Sequence, residues 1–596
     1  MALDMSPFRR GGTSTLTGLW TPLTGSDGQD PGQRYTRTFV TYSELGGSPV
    51  DQRWITSRLE KMSAYDCLQM LGRLSCMIDA APLGDLQQQL RIMGRLNWPE
   101  TVKRAAAALL TDGNGGTRSM FFPQQVVHLA RLAVLHADPR PPDDFANGAL
   151  ANDFIQCVLA VTELLGEDLR LDREEQVVSF ILRQTAINHR PDSVALWTRY
   201  YDIFARTWDE VATAEAFDAA TAFEHHTGIS LQRWLMVGFA IYTQFLGYGS
   251  FSSDDYLIVP RAFFANTPVE QVEWDAVLAQ TAVTLDEARA EIIAEEARLG
   301  PTVYRCQAFE QRPLLQMPGE AEPLVPFAVD SFERHMTEGI FWVLSDAAMA
   351  EGKPREHFTG AFGQVFEEWV QRTFERAIPT VGVKRVHRAR LYQSRQGNVD
   401  STDVVLDYEP EAVFIEVVSK RQQVATLTHG DYAAFSSDLE AGVLKKAKQL
   451  DRNITDFRSG TLVLDTMDRA RISTIFPVIL AIEGFPSMPP MPQIIAREIG
   501  RRGLLTGLPP VALLGAEELA AIEALMEQGA NFAELMRRWK VESGFAALPF
   551  ANFIDLTPDL CSKATRRSRY QDERWGELMG SIRHGLFQPA DRPDAD

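Results

Sequence analysis

Two apolar runs in the C-terminal half of the chain constrain its fold most. Val404, Val405 and Leu406 follow Asp403, and Glu416 stands inside the run 413–418. Near-continuous runs rich in β-branched residues predict strands of a sheet that is covered on both faces. A carboxylate in such a strand is costly unless it is paired, hydrogen-bonded or bound to a metal. Asp403 and Glu416 are therefore the first candidates for a functional site.

The spacing of the two runs also predicts how these acids meet. If residues 409–412 form the turn of a hairpin, Asp403 lies opposite Val418 and diagonal to Glu416 and Lys420. Strand alternation independently places Glu416 and Lys420 on one face. We therefore expect two acids and a lysine on one patch, although a slip of one residue would turn the strand over.

Such a patch suits the hydrolysis of a phosphodiester. Two carboxylates can hold Mg²⁺ or Mn²⁺ through hard oxygen ligands, and the ion polarises the phosphoryl group and activates a water molecule. A neighbouring ammonium would orient that water or offset the developing charge. The residues alone thus indicate metal-dependent phosphodiester cleavage.

The net charge limits where a nucleic acid could bind. The chain carries 59 lysine and arginine residues against 79 aspartate and glutamate residues, a formal net charge of −20. Such a surface opposes nonspecific adhesion to nucleic acid, so any contact must be local. The predicted phosphate contacts are Lys384, Arg385, Arg388, Arg390, Lys445 and Lys448. A solvated edge strand over 383–390 that is protected by its charge is equally consistent with these residues. A basic run on an amphipathic helix, such as 445–448, is most often a solvated face.

The elements around the two acids follow a particular order. We predict a helix over about 360–377, a basic strand over 383–392, the two acid-bearing strands and then a long helix over about 433–457. Over about residues 355–485 this order resembles the PD-(D/E)XK nuclease superfamily. The resemblance implies a restriction-endonuclease-like α/β fold with a mixed central sheet.

The resemblance also implies roles for individual residues. Asp403 and Glu416 match the two motif acids that hold metal. Glu367 matches the acid often found on the first helix, where it can help hold metal, although it could equally be a surface acid of that helix. Gln449 stands where some members carry a polar residue on the helix that follows the acids.

Two positions depart from the family pattern. The residue before Asp403 is Thr402 rather than proline, and Val418 occupies the position of the motif lysine. Lys420 lies one pleat further along the same predicted face. Because displaced lysines occur in this superfamily, Lys420 is the expected catalytic lysine.

The N-terminal half has a helical pattern. Apolar residues recur at helical spacing over about 50–300, for example every third residue from Val126 to Leu135. The apolar stretch Trp234 to Tyr248 is too short to cross a bilayer and predicts a buried helix. Five scattered cysteines without CxxC spacing indicate neither a disulfide framework nor a zinc site. No secretory signal is recognised, so we expect a cytoplasmic protein.

Composition divides the chain into four predicted parts. Residues 1–40 form a loose arm, 41–325 an α-helical domain, 326–545 the nuclease-like α/β domain and 546–596 a C-terminal tail. The boundary near 325 follows a polar, Pro/Gly-rich stretch, Met317 to Pro323. The predicted fold is therefore multidomain, with a mainly helical N-terminal domain and a restriction-endonuclease-like C-terminal domain.

These observations predict a metal-dependent endonuclease that acts on DNA in preference to RNA. By analogy it resembles a bacterial defence or restriction effector. A homodimer and a protein partner bound through the helical domain fit this prediction, and a membrane role does not. The alternative is a degenerate nuclease fold that serves as a nucleic-acid-binding or protein-interaction scaffold. A binding module centred on the helical domain is the third hypothesis.

Overall fold

The computed structural model describes residues 8–10, 20–22, 40, 42–48 and 50–587, apart from 81–85, 96–99, 111–118, 143–147, 165–172, 189–191, 212–216, 252–258, 303–304, 320–321, 378–384, 396, 466, 486–489 and 565–566. Within these ranges the N-terminal half is helical, and the C-terminal half holds a mixed sheet flanked by helices. The predicted combination of a helical region with an α/β region is confirmed at this level.

The described helices of the N-terminal region are α1 Gln52–Leu59, α2 Ala64–Asp79, α3 Leu86–Arg95, α4 Glu100–Leu110, α5 Pro123–His136, α6 Gly148–Leu164, α7 Glu174–Asn188, α8 Ser193–Asp202, α9 Trp208–Glu210, α10 Ala219–Thr227, α11 Leu231–Phe251, α12 Gln271–Thr281, α13 Leu285–Leu299, α14 Gln307–Gln311, α15 Val329–Met336 and α16 Ile340–Ala350. Those of the C-terminal region are α17 Arg355–Ala377, α18 Val424–His429, α19 Tyr432–Leu439, α20 Lys445–Ser459, α21 Met491–Arg501, α22 Ala516–Glu527, α23 Phe532–Arg537, α24 Phe550–Asp555, α25 Pro558–Ala564 and α26 Arg569–Phe587. Short 3₁₀ turns span Ser43–Leu45 and Arg469–Arg471, and π-helical turns span Ile203–Thr207, Glu440–Leu444 and Arg538–Glu542.

The helical pattern read from the N-terminal half is confirmed. α5 buries Val126, Leu129 and Leu132 through the predicted threefold spacing. The apolar stretch predicted as a core helix lies in α11, where Trp234 is fully buried. No helix in the described ranges is long and apolar enough to cross a membrane.

The described strands are β1 Phe8–Arg10, β2 Trp20–Pro22, β3 Ala282–Val283, β4 Leu314–Gln316, β5 Leu324–Pro326, β6 Arg385–Arg388, β7 Leu391–Ser394, β8 Gly397–Asp400, β9 Val404–Asp407, β10 Glu411–Val418, β11 Thr474–Ala481 and β12 Ala512–Gly515. In the part of the chain that the structure describes, five of them form the main sheet in the order β12-β11-β10-β9-β6. β10, β11 and β12 run parallel, whereas β9 is antiparallel to both β10 and β6.

The hairpin between β9 and β10 is tighter than predicted. Tyr408 N donates to Glu411 O at 3.0 Å, so Glu409 and Pro410 alone make the turn. Asp407 pairs with Ala412, which moves the register by two residues from the predicted one. A shift of two residues preserves the side-chain faces, because successive strand side chains alternate. The expected position of Asp403 opposite Val418 is therefore wrong, but its expected face is right.

Alternation along β10 decides where Glu416 points. Val413, Ile415 and Val417 pack into the core that extends to the N-terminal helices. Phe414 and Val418 pack into a second core, which α20 helps to form. Glu416 shares the face of Phe414 and Val418, so its side chain points towards α20.

Within the described ranges, contacts cross the predicted domain divisions. The stretch Met317 to Pro323, predicted as a boundary, connects the antiparallel strands β4 and β5. α26, predicted as a helical or partly disordered tail, packs against the N-terminal helices, as in the ion pair of Arg206 with Glu577. Of the predicted N-terminal arm, the structure describes the paired strands β1 and β2 and residue 40, and the remainder lies outside the described residues. The four-part division stays a prediction.

Candidate active site

Asp403 is held in place by contacts from three directions. It lies at the bend before β9, and its carbonyl oxygen accepts from Ala389 N and from Gln371 Nε2, both at 3.1 Å. Its Oδ2 accepts from Val417 N at 2.7 Å. The side chain is thereby fixed across β10, next to Glu416, and is almost fully buried.

Lys446 joins the two acids. Its Nζ lies 2.9 Å from Glu416 Oε2 and 3.1 Å from Asp403 Oδ2, within hydrogen-bond distance of both. Glu416 is 2% exposed, so this contact is shielded from bulk solvent. A lysine does lie beside both acids, but it comes from α20 and not from the strand.

The helix that carries Lys446 comes close to the sheet through a π-helical turn. This turn, Glu440–Leu444, lies directly between α19 and α20. A Cβ on Gly442 would lie 3.2 Å from Phe485 Cζ and 3.7 Å from Val418 Cγ1, so glycine permits the close approach. Single π turns inside helices are frequent at functional sites, since they change the direction in which the following side chains point.

Asn453 holds the other oxygen of Glu416. Its Nδ2 donates to Glu416 Oε1 at 3.2 Å. The Tyr392 hydroxyl lies 3.0 Å from Asn453 Oδ1 and 2.7 Å from Asp456 Oδ2, so the β7–β8 hairpin braces this amide. Both oxygens of Glu416 are thus oriented by α20.

The site holds more carboxyl groups than cationic groups. Burial, followed by repulsion from Asp403, raises the pKa of Glu416 to about 8, against the attraction of Lys446. Burial and Asp403 likewise raise the pKa of Glu367, on α17, to about 7. Burial acts to lower the pKa of Lys446, but Glu416 and Asp403 outweigh it and raise the value. Both raised pKa values favour protonated carboxyls near neutral pH, and an additional cation would favour their ionised forms.

The donor set fits a hard divalent cation that is held only in part by protein. No group of three or more His, Cys, Asp or Glu side chains in the described residues is arranged to hold a metal. Mg²⁺ is usually held by one or two carboxylates together with waters and substrate phosphates. Asp403 and Glu416 provide such a pair. Gln449 Oε1, one turn beyond Lys446, is buried without a hydrogen-bond partner in the structure and offers a further oxygen.

The position expected for Lys420 is wrong. β10 ends at Val418, so strand alternation stops there and Lys420 leaves the sheet. Its Nζ lies 3.6 Å from Asp438 Oδ1, and 45% of its side chain is exposed. Lys446 takes the position beside the acids that Lys420 was expected to fill.

The basic strand offers little free charge for a phosphate. Arg388 pairs with Glu375 at 2.7 Å and also with Glu368. Arg390 pairs with Asp465 at 3.1 Å. Arg385 is exposed and donates to a backbone carbonyl, and Lys384 lies outside the described residues. By contrast, Lys445 and Lys448 are exposed on α20 and form no ion pair in the described part of the chain.

Lys446 and Asn453 were not singled out as site residues, although a signal for them was present. They are seven residues apart and therefore lie on one side of a helix. Between them, Ala447 and Leu450 are buried. Polar residues at this spacing along the edge of an apolar stripe indicate a helix that presents polar groups to the sheet it covers.

The likeness to the PD-(D/E)XK superfamily rests on the order of the elements and on Asp403, Glu416 and Glu367. It stays a prediction, because comparisons with protein-family models, with curated proteins and with solved structures found no match.

Proposed function

We propose that this protein is a metal-dependent nuclease that cleaves phosphodiester bonds of DNA. The observation that carries the proposal is the position of the Lys446 ammonium, within hydrogen-bond distance of both Asp403 and Glu416. Two acids and one lysine at a mixed sheet supply the groups that phosphodiester hydrolysis needs. The likeness to the PD-(D/E)XK superfamily supports the same reaction.

Each residue of the site would have a distinct task. Asp403 and Glu416 would hold Mg²⁺ or Mn²⁺, which would supply Lewis-acid polarisation of the phosphate. Lys446 would orient the attacking water and stabilise the negative charge that develops on the phosphoryl oxygens. Glu367 and Gln449 would assist from α17 and α20. Asn453 fixes the orientation of Glu416 and is a positioning residue.

The surface beside the site supports an approach of the substrate along α20. Lys445 and Lys448 are exposed one position before and two positions after Lys446. Arg452 continues this edge and donates to the Asp400 carbonyl at 2.9 Å. On a chain of net charge −20, such a local basic edge is where a phosphate backbone would be attracted. The helical region would then position or restrain the catalytic module.

The test is cleavage of plasmid, single-stranded DNA and RNA by the purified full-length chain with Mg²⁺ or Mn²⁺. We expect Lys446→Met to lower the cleavage rate by roughly 10²- to 10³-fold, since it removes a charge aimed at the reacting phosphate. Asp403→Asn should abolish cleavage, although the asparagine side chain has nearly the same shape as that of aspartate. Lys420→Met is the matched control, because the Lys420 side chain is partly exposed and its buried partner Asp438 keeps hydrogen bonds from Gln423 and Thr426. This variant should cleave at about the wild-type rate.

A noncatalytic scaffold is the alternative, and one observation favours it. Lys446 already satisfies an oxygen of each acid, so the buried charges are paired without any metal. Absence of cleavage of every substrate, with intact binding of nucleic acid or of a protein, would support the scaffold. Cleavage that survives Lys446→Met but is lost in Lys420→Met would show that Lys420, and not Lys446, acts in the reaction.

A further inference from the structure

A large cavity lies between the helical region and the α/β region, away from the acid pair. Its volume is about 790 Å³, and one wall is built from residues that follow β10, β11 and β12. The opposite wall belongs to the N-terminal helices and includes Arg199 on α8 and Trp342 on α16. The carboxyl ends of parallel strands are where ligands bind in open α/β sheets. A volume of this size matches small-molecule sites.

Arg199 is the most unusual side chain of the cavity wall. It is 9% exposed, yet its guanidinium makes no hydrogen bond or ion pair with any residue that the structure describes. Its one aromatic contact is the ring of the adjacent Tyr200, 5.4 Å from Cζ. A buried guanidinium carries five donors and a permanent charge, and leaving them unmet is expensive. The position therefore calls for an anionic acceptor.

Arg421 brings a second guanidinium to the same cavity from the α/β region. It follows β10 by three residues, donates to Glu483 and to the Tyr200 hydroxyl, each at 2.9 Å, and leaves its buried Nε without a partner. Both guanidiniums lie within about 6 Å of the Tyr200 ring, and each keeps a buried Nε without a hydrogen-bond partner. Guanidinium N–H groups are the donors that phosphate oxygens accept from most strongly.

Most acidic side chains in the wall are engaged by groups other than Arg199. Glu310 pairs with Arg305, and Glu291 lies 3.6 Å from Arg312. Glu518 accepts from the Gly515 backbone N at 2.8 Å at the start of α22. These carboxylates are engaged by other groups. Glu338, which also lines the cavity, lies 3.8 Å from Arg334 and is attracted by Arg421, Arg305 and Arg199 as well. One carboxylate is thus shared among four guanidiniums, which leaves positive charge for a ligand.

We infer that the cavity binds a phosphate-bearing small molecule of about nucleotide size, with its phosphate held by Arg199 and Arg421. Trp342 also lines the cavity, with Arg355 at 5.0 Å and Arg421 at 5.9 Å from its ring centre, and adds apolar surface beside the arginines. Such a ligand would touch both regions of the protein at once. This binding does not depend on the proposed nuclease activity.

The experiment is calorimetric titration of the full-length chain with inorganic phosphate, pyrophosphate, ATP and GTP in turn, without divalent cation. Citrate serves as the carboxylate probe. We expect saturable binding of at least one phosphate probe and none of citrate. Arg199→Met should weaken that binding by roughly tenfold or more, the effect of losing charge-assisted hydrogen bonds. It should not lower the melting temperature, because Arg199 has no described partner to lose.

Arg206→Met is the matched control. Arg206 lies seven residues further along the same helical stretch, is exposed and pairs with Glu577 at 3.0 Å. Binding should be unchanged in this variant. The inference is overturned if no phosphate probe binds saturably at about 1 mM, if citrate binds as well as the phosphates, or if both arginine variants bind alike.

Discussion

Glu333, on α15, is a buried acid far from the candidate active site. It is 6% exposed, and its Oε1 accepts a hydrogen bond from Trp197 Nε1 at 3.0 Å. Burial, followed by repulsion from Asp330, raises the pKa of Glu333 from 4.5 to about 8. Between these values the folded protein binds a proton that the unfolded chain does not. The free energy of unfolding should therefore fall as the pH rises through this window.

The variant Glu333→Gln isolates this contribution, because it keeps an oxygen acceptor for Trp197 and cannot ionise. We expect the difference in free energy of unfolding, variant minus wild type, to be about 1 to 3 kcal/mol larger at about pH 8.5 than at about pH 5. Urea unfolding at the two pH values measures the difference. Glu224→Gln, at an exposed position, is the control and should show little change. A difference that is the same at both pH values for Glu333→Gln would contradict the prediction.

At the residue scale, the sequence identified the two acids but not the lysine. Asp403 and Glu416 stood out because a carboxylate inside an apolar strand is costly wherever the strand lies. The lysine depended on where β10 ends and on which helix covers it, and neither is a local property. Lys446 was recognised only as part of a basic run, since a charge near the start of a helix is most often solvated.

At the scale of elements, the π-helical turn Glu440–Leu444 sets the position of Lys446. In an α-helix the backbone hydrogen bonds join residues four positions apart, whereas in a π turn they join residues five positions apart. Gly442 lies in this turn, packed against Phe485 and Val418. The contact leaves little room for a side chain, because a methyl group on Gly442 would lie 3.2 Å from the Phe485 ring. The approach of α20 to β10 therefore depends on a residue without a side chain.

Gly442→Ala should reduce cleavage more than stability. The added methyl would crowd the Phe485 ring, so the ring or the π-helical turn must shift by a few tenths of an ångström. The overpacking costs about 1 to 3 kcal/mol, partly offset by the better helix propensity of alanine. Lys446 would then sit a few tenths of an ångström from its present position. Gly360→Ala is the matched control, because this helical glycine on α17 has open space around it. We expect that variant to be stabilised by about 0.5 to 1 kcal/mol and fully active.

Thermal unfolding measures the change in stability of the two glycine variants, and cleavage rates measure the change in activity. Equal effects of Gly442→Ala and Gly360→Ala on cleavage would show that the close approach is not needed.

The predicted helix over about 433–457 matched α19 and α20 in extent, but the π turn inside it left no sequence pattern that distinguishes it from a continuous helix. The strand order β12-β11-β10-β9-β6 likewise depends on long-range pairing that spacing alone does not report.

At the scale of the whole molecule, the helical and α/β regions share one apolar core. α17 turns an aromatic face to the N-terminal helices: Phe362 stacks on Phe204 with ring centroids 5.7 Å apart, and Phe358 stacks on Trp208 at 5.9 Å. Asp202 connects three parts of the chain, because it accepts from Trp369 Nε1 at 2.8 Å and from the Tyr570 hydroxyl at 2.7 Å. The sequence could not reveal this, since each helix shows only that it has an apolar face.

Residues 326–596 expressed alone should therefore fail to reach the native state. Without the helices that precede residue 326, Phe358 and Phe362 would lose their contacts with Trp208 and Phe204, and Trp369 would lose its acceptor on Asp202. Burial of one such aromatic side chain is worth about 1.5 to 3 kcal/mol, and a marginally stable fold cannot lose several. Near-ultraviolet circular dichroism and gel filtration would show a collapsed or aggregating fragment. Co-expression with residues 1–325 is the control, because it restores the missing surface and should yield a soluble complex with native-like spectra. A soluble, monomeric and well-ordered fragment 326–596 would show instead that the division predicted near residue 325 separates two independent folding units.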